Sequence, residues 1–294
     1  MSDIDDFDQP NPRKGNTNNP LAKYMRMPGV DARLPTKGAF MPFGSIDFTM
    51  TGGVPVFPMR NFDEVLLKSP DALMSGYAIE ELLKSCVPAI KYPRLISNPD
   101  LDVLLLAIRA ATYGDVMTFS VTCPSCSHVS EEKQKLSNFM STIQYIEPEN
   151  IVRLNDELIL YVRPYNLENS TKIGVISFEE ARKYQSLDLK GADDFEKSSQ
   201  INLSMKRLDE SATEALASCI VKIVTPEGIV ADRQMILEFI LNISKKWTDD
   251  IKEKLEELNN KGIDRSCAIV CKECKHEWKT EIELNPSTFF AASS

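Results

Sequence analysis

Apolar positions along this chain fall into a helical period over some stretches and a two-residue period over others, and the alternation predicts an α+β fold. Asn61 with Glu64 three residues later forms a capping-box pattern ahead of Val65-Leu66-Leu67. Ser69-Pro70-Asp71 restarts a helix with Pro in its first turn, and Ala78 to Cys86 keeps helical spacing. Ser97-Asn98-Pro99-Asp100 opens a helix over Leu101 to Thr112, which Gly114 is placed to end. Its Leu104-Leu105-Leu106-Ala107-Ile108 run is nearly all apolar and is predicted to be buried. Further helices are predicted over Leu167 to Leu187, Leu203 to Val224, Asp232 to Lys246 and Thr248 to Asn260, the last two capped by Asp232 and Thr248. Extended runs cover Val116 to Val121, a hairpin from Ile151 to Val162 around Asn155-Asp156, and Glu277 to Leu284.

Where the patterning lapses, the chain divides. Residues 1–19 are polar and rich in Asp, Asn and Pro, which predicts a mobile arm. Residues 20–60 are rich in Pro and Gly with short extended pieces at Ile46 to Met50 and Val54 to Phe57; Pro55 suits an edge strand, because Pro cannot donate to a ladder. This segment is expected to lie along a surface. An α+β half with a first cysteine knuckle then spans 61–187, residues 188–200 (DLKGADDFEKSSQ) read as a linker, and a helical half with a second knuckle spans 201–294. Tyr24, Phe40 and Phe43 in the extended segment are candidate partner contacts. Phe289 and Phe290 near the end are candidates too, since terminal aromatics either anchor onto a partner or plug the chain's own core.

With 294 residues, 43% of them hydrophobic, the chain can build a core without disulfides. No run reaches the ~18 consecutive apolar residues of a membrane span, and the first thirty residues lack the order of a secretory signal, so a cytoplasmic location is expected. A net charge of −9 sets the overall field against nucleic acid. Seven cysteines in such a chain point to a reducing compartment. Cys86, Cys219 and Cys267 sit among apolar neighbours and read as core residues.

The other four cysteines form two matching knuckles. Cys123 aligns with Cys271, Cys126 with Cys274 and His128 with His276, with Leu136 and Leu284 following at equal distance. A Cys-x-x-Cys turn sets two thiolates on one side of a tight loop and supplies half of a tetrahedral zinc site; two such turns complete it. The expected architecture is a helical body with small β-hairpin zinc knuckles, zinc-ribbon-like but drawn from distant segments. Structural Zn2+ would be held by Cys123, Cys126, Cys271 and Cys274. An ordinary ribbon separates its knuckles by roughly 15 to 20 residues, so here the metal would act as a long-range cross-link. The rival geometry uses two cysteines and the histidine of each knuckle, with a fourth ligand from elsewhere. No Gly-rich phosphate loop, His-Glu-x-x-His helix or Gly-x-Ser-x-Gly elbow occurs, and both histidines sit in knuckles, which argues against an enzyme.

Several segments taken together carry a resemblance: Asn19–Tyr24 (NPLAKY), Leu34–Gly38 (LPTKG), Leu66–Leu73 (LLKSPDAL), Lys84–Ile90 (KSCVPAI) and Ala107–Gly114 (AIRAATYG). With the first knuckle and the Phe-Phe ending, they resemble the baseplate hub subunit family of T-even-like contractile-tailed bacteriophages. The stretch 140–230 carries no motif that matches. The resemblance implies a component that builds the central hub of the tail baseplate or assists its assembly. Its partners would be other hub and tail proteins, with no nucleic acid and no membrane, and it would be made in the infected host's cytoplasm. The alternative is a zinc-ribbon adaptor that binds nucleic acid in transcription or packaging.

Overall fold

The computed structural model describes residues 20–190 and 194–290; the arm read over 1–19 lies outside them. Among the described residues the chain is α+β, with ten α-helices and ten short strands in four antiparallel sheets.

Helix α4 (Asn98–Tyr113) is the spine of the larger apolar cluster. The Ser97 hydroxyl accepts from the Asp100 amide at 3.3 Å, Pro99 fills the first turn, and Gly114 follows the last at φ 92°. Val103 through Ile108 are at most 3% exposed, so the helix is covered on all sides, as its apolar run predicts. At ~1.5–3 kcal/mol per large side chain, that stretch contributes on the order of 10 kcal/mol of hydrophobic stabilisation before entropy is counted.

The surface reading of 20–60 is corrected by what packs on α4. Strands β1 (Val30–Ala32) and β2 (Val54–Val56) pair antiparallel with Asp31 opposite Pro55. Period-two alternation puts Val54 and Val56 on one face, and they are buried there with Ala32 and Leu34. Pro55 is tolerated because the sheet has only two strands. Of the expected extended run 46–50, only Ile46 forms a bridge, to Ile90.

Two buried polar groups on α4 tie remote segments to it. The Asp100 carboxylate accepts from the Thr36 amide at 2.9 Å, the Thr36 hydroxyl at 2.5 Å and the Ser97 hydroxyl at 2.7 Å. Burial pushes its pKa up against those donors. Arg109, 2% exposed, donates to the Phe289 carbonyl and holds its guanidinium 5.0 Å from the Phe289 ring.

A third charged group, Asp102, is three-quarters covered and pairs with Arg265 at 3.7 Å. Burial pushes its pKa up to about 6, with Arg265 opposing. The folded state therefore favours the protonated form: this group's contribution is full below the unfolded value of ~4 and is lost as pH rises through about 6. Asp102→Asn is expected to raise Tm by a few degrees near ~pH 7.5 and to leave it unchanged near ~pH 4, in paired calorimetric scans against the unmodified protein.

The first helices follow expectation with small shifts. Helix α1 (Asn61–Leu67) is capped one residue earlier than predicted, the Arg60 amide donating to Asp63 at 2.7 Å. Helices α2 (Pro70–Met74) and α3 (Tyr77–Cys86) are separated by Gly76 at φ 70°. Its missing Cβ lets the chain pass Thr171, whose hydroxyl would lie 2.4 Å from an added methyl. After the first knuckle come α5 (Leu136–Met140), then β5 (Asn150–Arg153) and β6 (Ile159–Val162), the hairpin expected around Asn155.

Three expectations fail in the second half. The composition of 188–200 suggests a linker, yet α6 (Leu167–Lys190) and α7 (Asp194–Ser218) occupy it on both sides of 191–193, which lie outside the described residues. The two helices run antiparallel, joined by Glu180 of α6, which accepts from Ser204 at 2.7 Å and from Arg207 of α7. On either side of 191–193 the polar composition belongs to helix rather than to an irregular chain. The helix predicted to Val224 stops at Ser218, and Ile220–Thr225 is strand β7, paired with β6 and with β8 (Gly228–Val230). Four β-branched residues in Ile220-Val221-Lys222-Ile223-Val224 decide that outcome. Helix α8 (Arg233–Asn242) has the predicted Asp232 cap, whereas α9 (Lys245–Asn260) starts from Ser244, not Thr248.

The apolar clusters divide the chain differently from the halves read in sequence. Strands β5–β8 with α8 and α9 enclose a second cluster drawn from Ile146 to Leu258. The larger cluster takes residues from Ala32 to Leu167 and then from Ile263 to Phe290. One core is thus completed by both ends of the described chain, with the other core between them.

Candidate metal centre

Each knuckle is the turn of a two-stranded hairpin. Strands β3 (Val116–Thr122) and β4 (Val129–Lys135) carry the first, β9 (Ser266–Val270) and β10 (Glu277–Glu281) the second. The Cys123 amide donates to the His128 carbonyl at 2.9 Å, and the Cys271 amide to the His276 carbonyl at 2.9 Å. Inside each loop the residue after the second cysteine bonds back to the first: Ser127 to Cys123 at 2.9 Å, Lys275 to Cys271 at 3.1 Å. Both turn residues sit in the left-handed region, Ser127 at φ 59° and Lys275 at φ 60°. The repeat extends outward to the preceding helices α4 and α9, capped by Ser97 and Ser244 and followed by Gly114 and Gly262.

The structure brings the two knuckles together. Cys123 Sγ lies 3.6 Å from Cys274 Sγ, and Cys126 Sγ lies 3.6 Å from Cys271 Sγ. All four sulfurs fall within 4.8 Å of one another. Zinc–sulfur bonds of ~2.3 Å give a tetrahedron with edges of ~3.8 Å, whereas a disulfide needs ~2.05 Å. The spacing therefore fits four ligands around one ion. Cys123 and Cys271 are buried and Cys126 and Cys274 exposed, so the cluster sits at the protein surface. Lys272 adds a second tie between hairpins, pairing with Glu132 at 3.2 Å.

Four thiols this close cannot all ionise without a cation among them. Amides of Cys274 and Glu273 hold the Cys271 thiol down at about 6. At Cys126 the His128 amide favours the thiolate, but the hydrogen bond with Cys274 and the other thiols outweigh it and push the value up to about 12. Cys123, Cys126, Cys271 and Cys274 would hold a divalent ion as thiolates, which would take the place of that proton sharing. An all-sulfur tetrahedral set suits zinc or an iron–sulfur cluster on donor chemistry.

The rival geometry with histidine ligands is corrected. Neither histidine joins the sulfur cluster, and His276 stacks on Trp278 at 6.1 Å with the rings 14° apart. Each histidine serves the knuckle through its backbone carbonyl. Changing His128 and His276 together to Gln is expected to leave the metal content of the purified chain unchanged; loss of the ion would return the histidines to the coordination sphere.

Cys86, Cys219 and Cys267 are buried in the apolar clusters as expected. The aromatic candidates separate. Tyr24 is 75% exposed and Phe43 fully exposed, whereas Phe40 packs partly buried against the second cluster. Phe289 and Phe290 are each 3% exposed and meet edge to face at 5.2 Å, so of their two readings the internal plug holds and the partner contact does not. The physical reason is Arg109, which offers α10 (Pro286–Phe289) both a donor and a cation for its ring. The sequence signal for this was an arginine within an otherwise apolar helical run.

A model of the family described as T4 bacteriophage base plate protein matches residues 59–291. No curated protein and no solved structure matches the chain. The matched span holds both knuckles and reaches through 140–230, where no single motif is recognisable, while the segments at 19–24 and 34–38 fall before it. Among the described residues no helix is long and apolar enough to cross a membrane. With most of its length covered by that model, the chain belongs to the T4 bacteriophage base plate protein family.

Proposed function

We propose that this chain is a zinc-stabilised structural or assembly component of the hub of the phage tail baseplate, acting through contacts with other hub and tail proteins. The observation that carries the reading is the four-cysteine cluster inside the family match: its ligands come from both halves of the matched span, so a bound ion braces the body rather than a local module. Four thiolates around zinc leave no open coordination position for a substrate, which favours a structural role over catalysis. The hub assignment, as distinct from other baseplate positions, draws on the segments quoted from Asn19 to Gly114.

The test is co-expression with the remaining baseplate proteins of the same phage. Co-purification with hub proteins, together with indifference to DNA and RNA columns, is the expected result. Salt-sensitive retention on nucleic acid without tail proteins would transfer the chain to the adaptor reading. Mass spectrometry of finished particles against infected-cell extract separates a resident hub part from an assembly factor made and left in the host cytoplasm.

A further inference from the structure

The two hairpins, drawn together at their knuckles, leave a groove of about 440 Å³ between β3 and β10. On one side it is lined by the consecutive residues Met117 to Val121, on the other by Thr280 to Glu283. A strand seen from its face presents every second residue. Consecutive residues mark a strand seen along its edge.

The ladder registers identify the backbone groups on those edges. Cys123 donates to His128 and Leu136 to Asp115, so in the β3–β4 ladder the hydrogen-bonded positions of β3 are the odd ones. Thr118 and Ser120 consequently turn their N–H and C=O away from β4. On the other hairpin Cys271 donates to His276 and Ile282 to Arg265. The same alternation turns Glu281 and Glu283 away from β9. No backbone hydrogen bond from another described residue reaches these four on the groove side, and β3 and β10 belong to separate sheets. Both hairpins nevertheless rest on one core: Met117 and Val121 from the first, Ile269 and Ile282 from the second. Their open edges line the two sides of one groove.

We propose that this groove receives an extended segment of another protein, with apolar residues at alternate positions and Lys or Arg between them. Main-chain bonds to two unpaired edges supply affinity, and alternate side chains supply selection. Inward-facing residues meet Met117, Phe119, Ile282 and Phe289. Outward-facing ones meet Glu281 and Glu283, which are exposed and form no ion pair among the described residues. Five residues at ~3.3 Å each span the part of β3 that lines the groove, Met117 to Val121. The chain's own first residues suit the groove poorly, since Ile4 and Phe7 stand among Asp3, Asp5, Asp6 and Asp8, the same sign as its rim. This inference adds a docking mode to the hub reading and is tested without any baseplate protein, so the two can fail separately.

The probe is the capped peptide Val-Lys-Val-Lys-Val-Lys-Val, added to the full-length, metal-loaded chain and followed by NMR amide exchange. Expected is at least ~10-fold slower exchange at Thr118, Ser120, Glu281 and Glu283, absent with the same peptide N-methylated at alternate residues. The double change Glu281→Lys and Glu283→Lys should weaken the Lys peptide at least ~10-fold and favour its Glu counterpart, with metal content unchanged as proof of folding. No slowing at ~1 mM peptide, or equal binding of the N-methylated form, overturns the proposal. So does protection of the four amides in the free chain that is lost on deleting residues 1–19 or on dilution, because the groove is then filled by the arm or by a second copy.

Discussion

Changing Cys271 and Cys274 to Ser should strip the protein of all its metal, not half of it, and changing Cys123 and Cys126 should do the same. One zinc per chain is expected before the change and none after, by elemental analysis of the purified protein. The reason is that the sulfurs of the two knuckles interleave: each 3.6 Å contact joins a cysteine of one hairpin to a cysteine of the other. A lone knuckle offers two ligands, too few for a closed tetrahedral site. Structural zinc binds small peptides with ~10 kcal/mol or more of apparent free energy, and much of that is shared with folding, so Tm should fall by more than ~10 °C. Removing both pairs should cost little beyond removing one, because the second deletion acts on a site already empty. Chelation of the unmodified protein should reproduce the variant's melting curve. Full metal after loss of one pair would show two independent sites and dismantle the shared clamp.

The second large effect is expected at α10, which follows the second hairpin. Phe289→Ala with Phe290→Ala removes two rings that are each 3% exposed, and Phe to Ala in a core costs ~3–5 kcal/mol per site. Additional loss comes from Arg109, left buried with neither the ring nor a well-placed carbonyl to receive it. The double variant should therefore melt far below the parent in chemical denaturation while keeping its zinc when folded. An unchanged denaturation midpoint, with loss of a partner contact instead, would restore the two rings to an interface.

How much of this was legible follows from the range of each signal. The knuckles were readable because Cys-x-x-Cys spacing is encoded within four residues, and the duplication of Cys, Cys and His made the pairing a testable expectation. Helix α4 was readable from its own caps and its unbroken apolar run. Strand β7 was not, because six of the eight residues from Ala217 to Val224 are apolar, which suits a buried helix end as well as a strand; their β-branching becomes decisive only with β6 and β8 alongside. The α6–α7 pair was lost to its own polarity: solvated helices and solvated loops share a composition, and the Glu180 links that distinguish them span more than twenty positions. Burial of Phe289 depended on Arg109, 180 positions away. No local reading could supply it.

The position of the smaller core between the two contributors to the larger one imposes an order on synthesis. The first knuckle leaves the ribosome long before the second, and at ~5–20 residues per second the interval is on the order of ten seconds. During that time α4 lacks its covering aromatics, and the two thiols of the first knuckle wait without their counterparts. The intervening sheet and helices, Ile146 to Leu258, are already complete and can fold first. They then act as a spacer that returns residues 263–290 to the beginning, so closure of the four-cysteine cluster comes last.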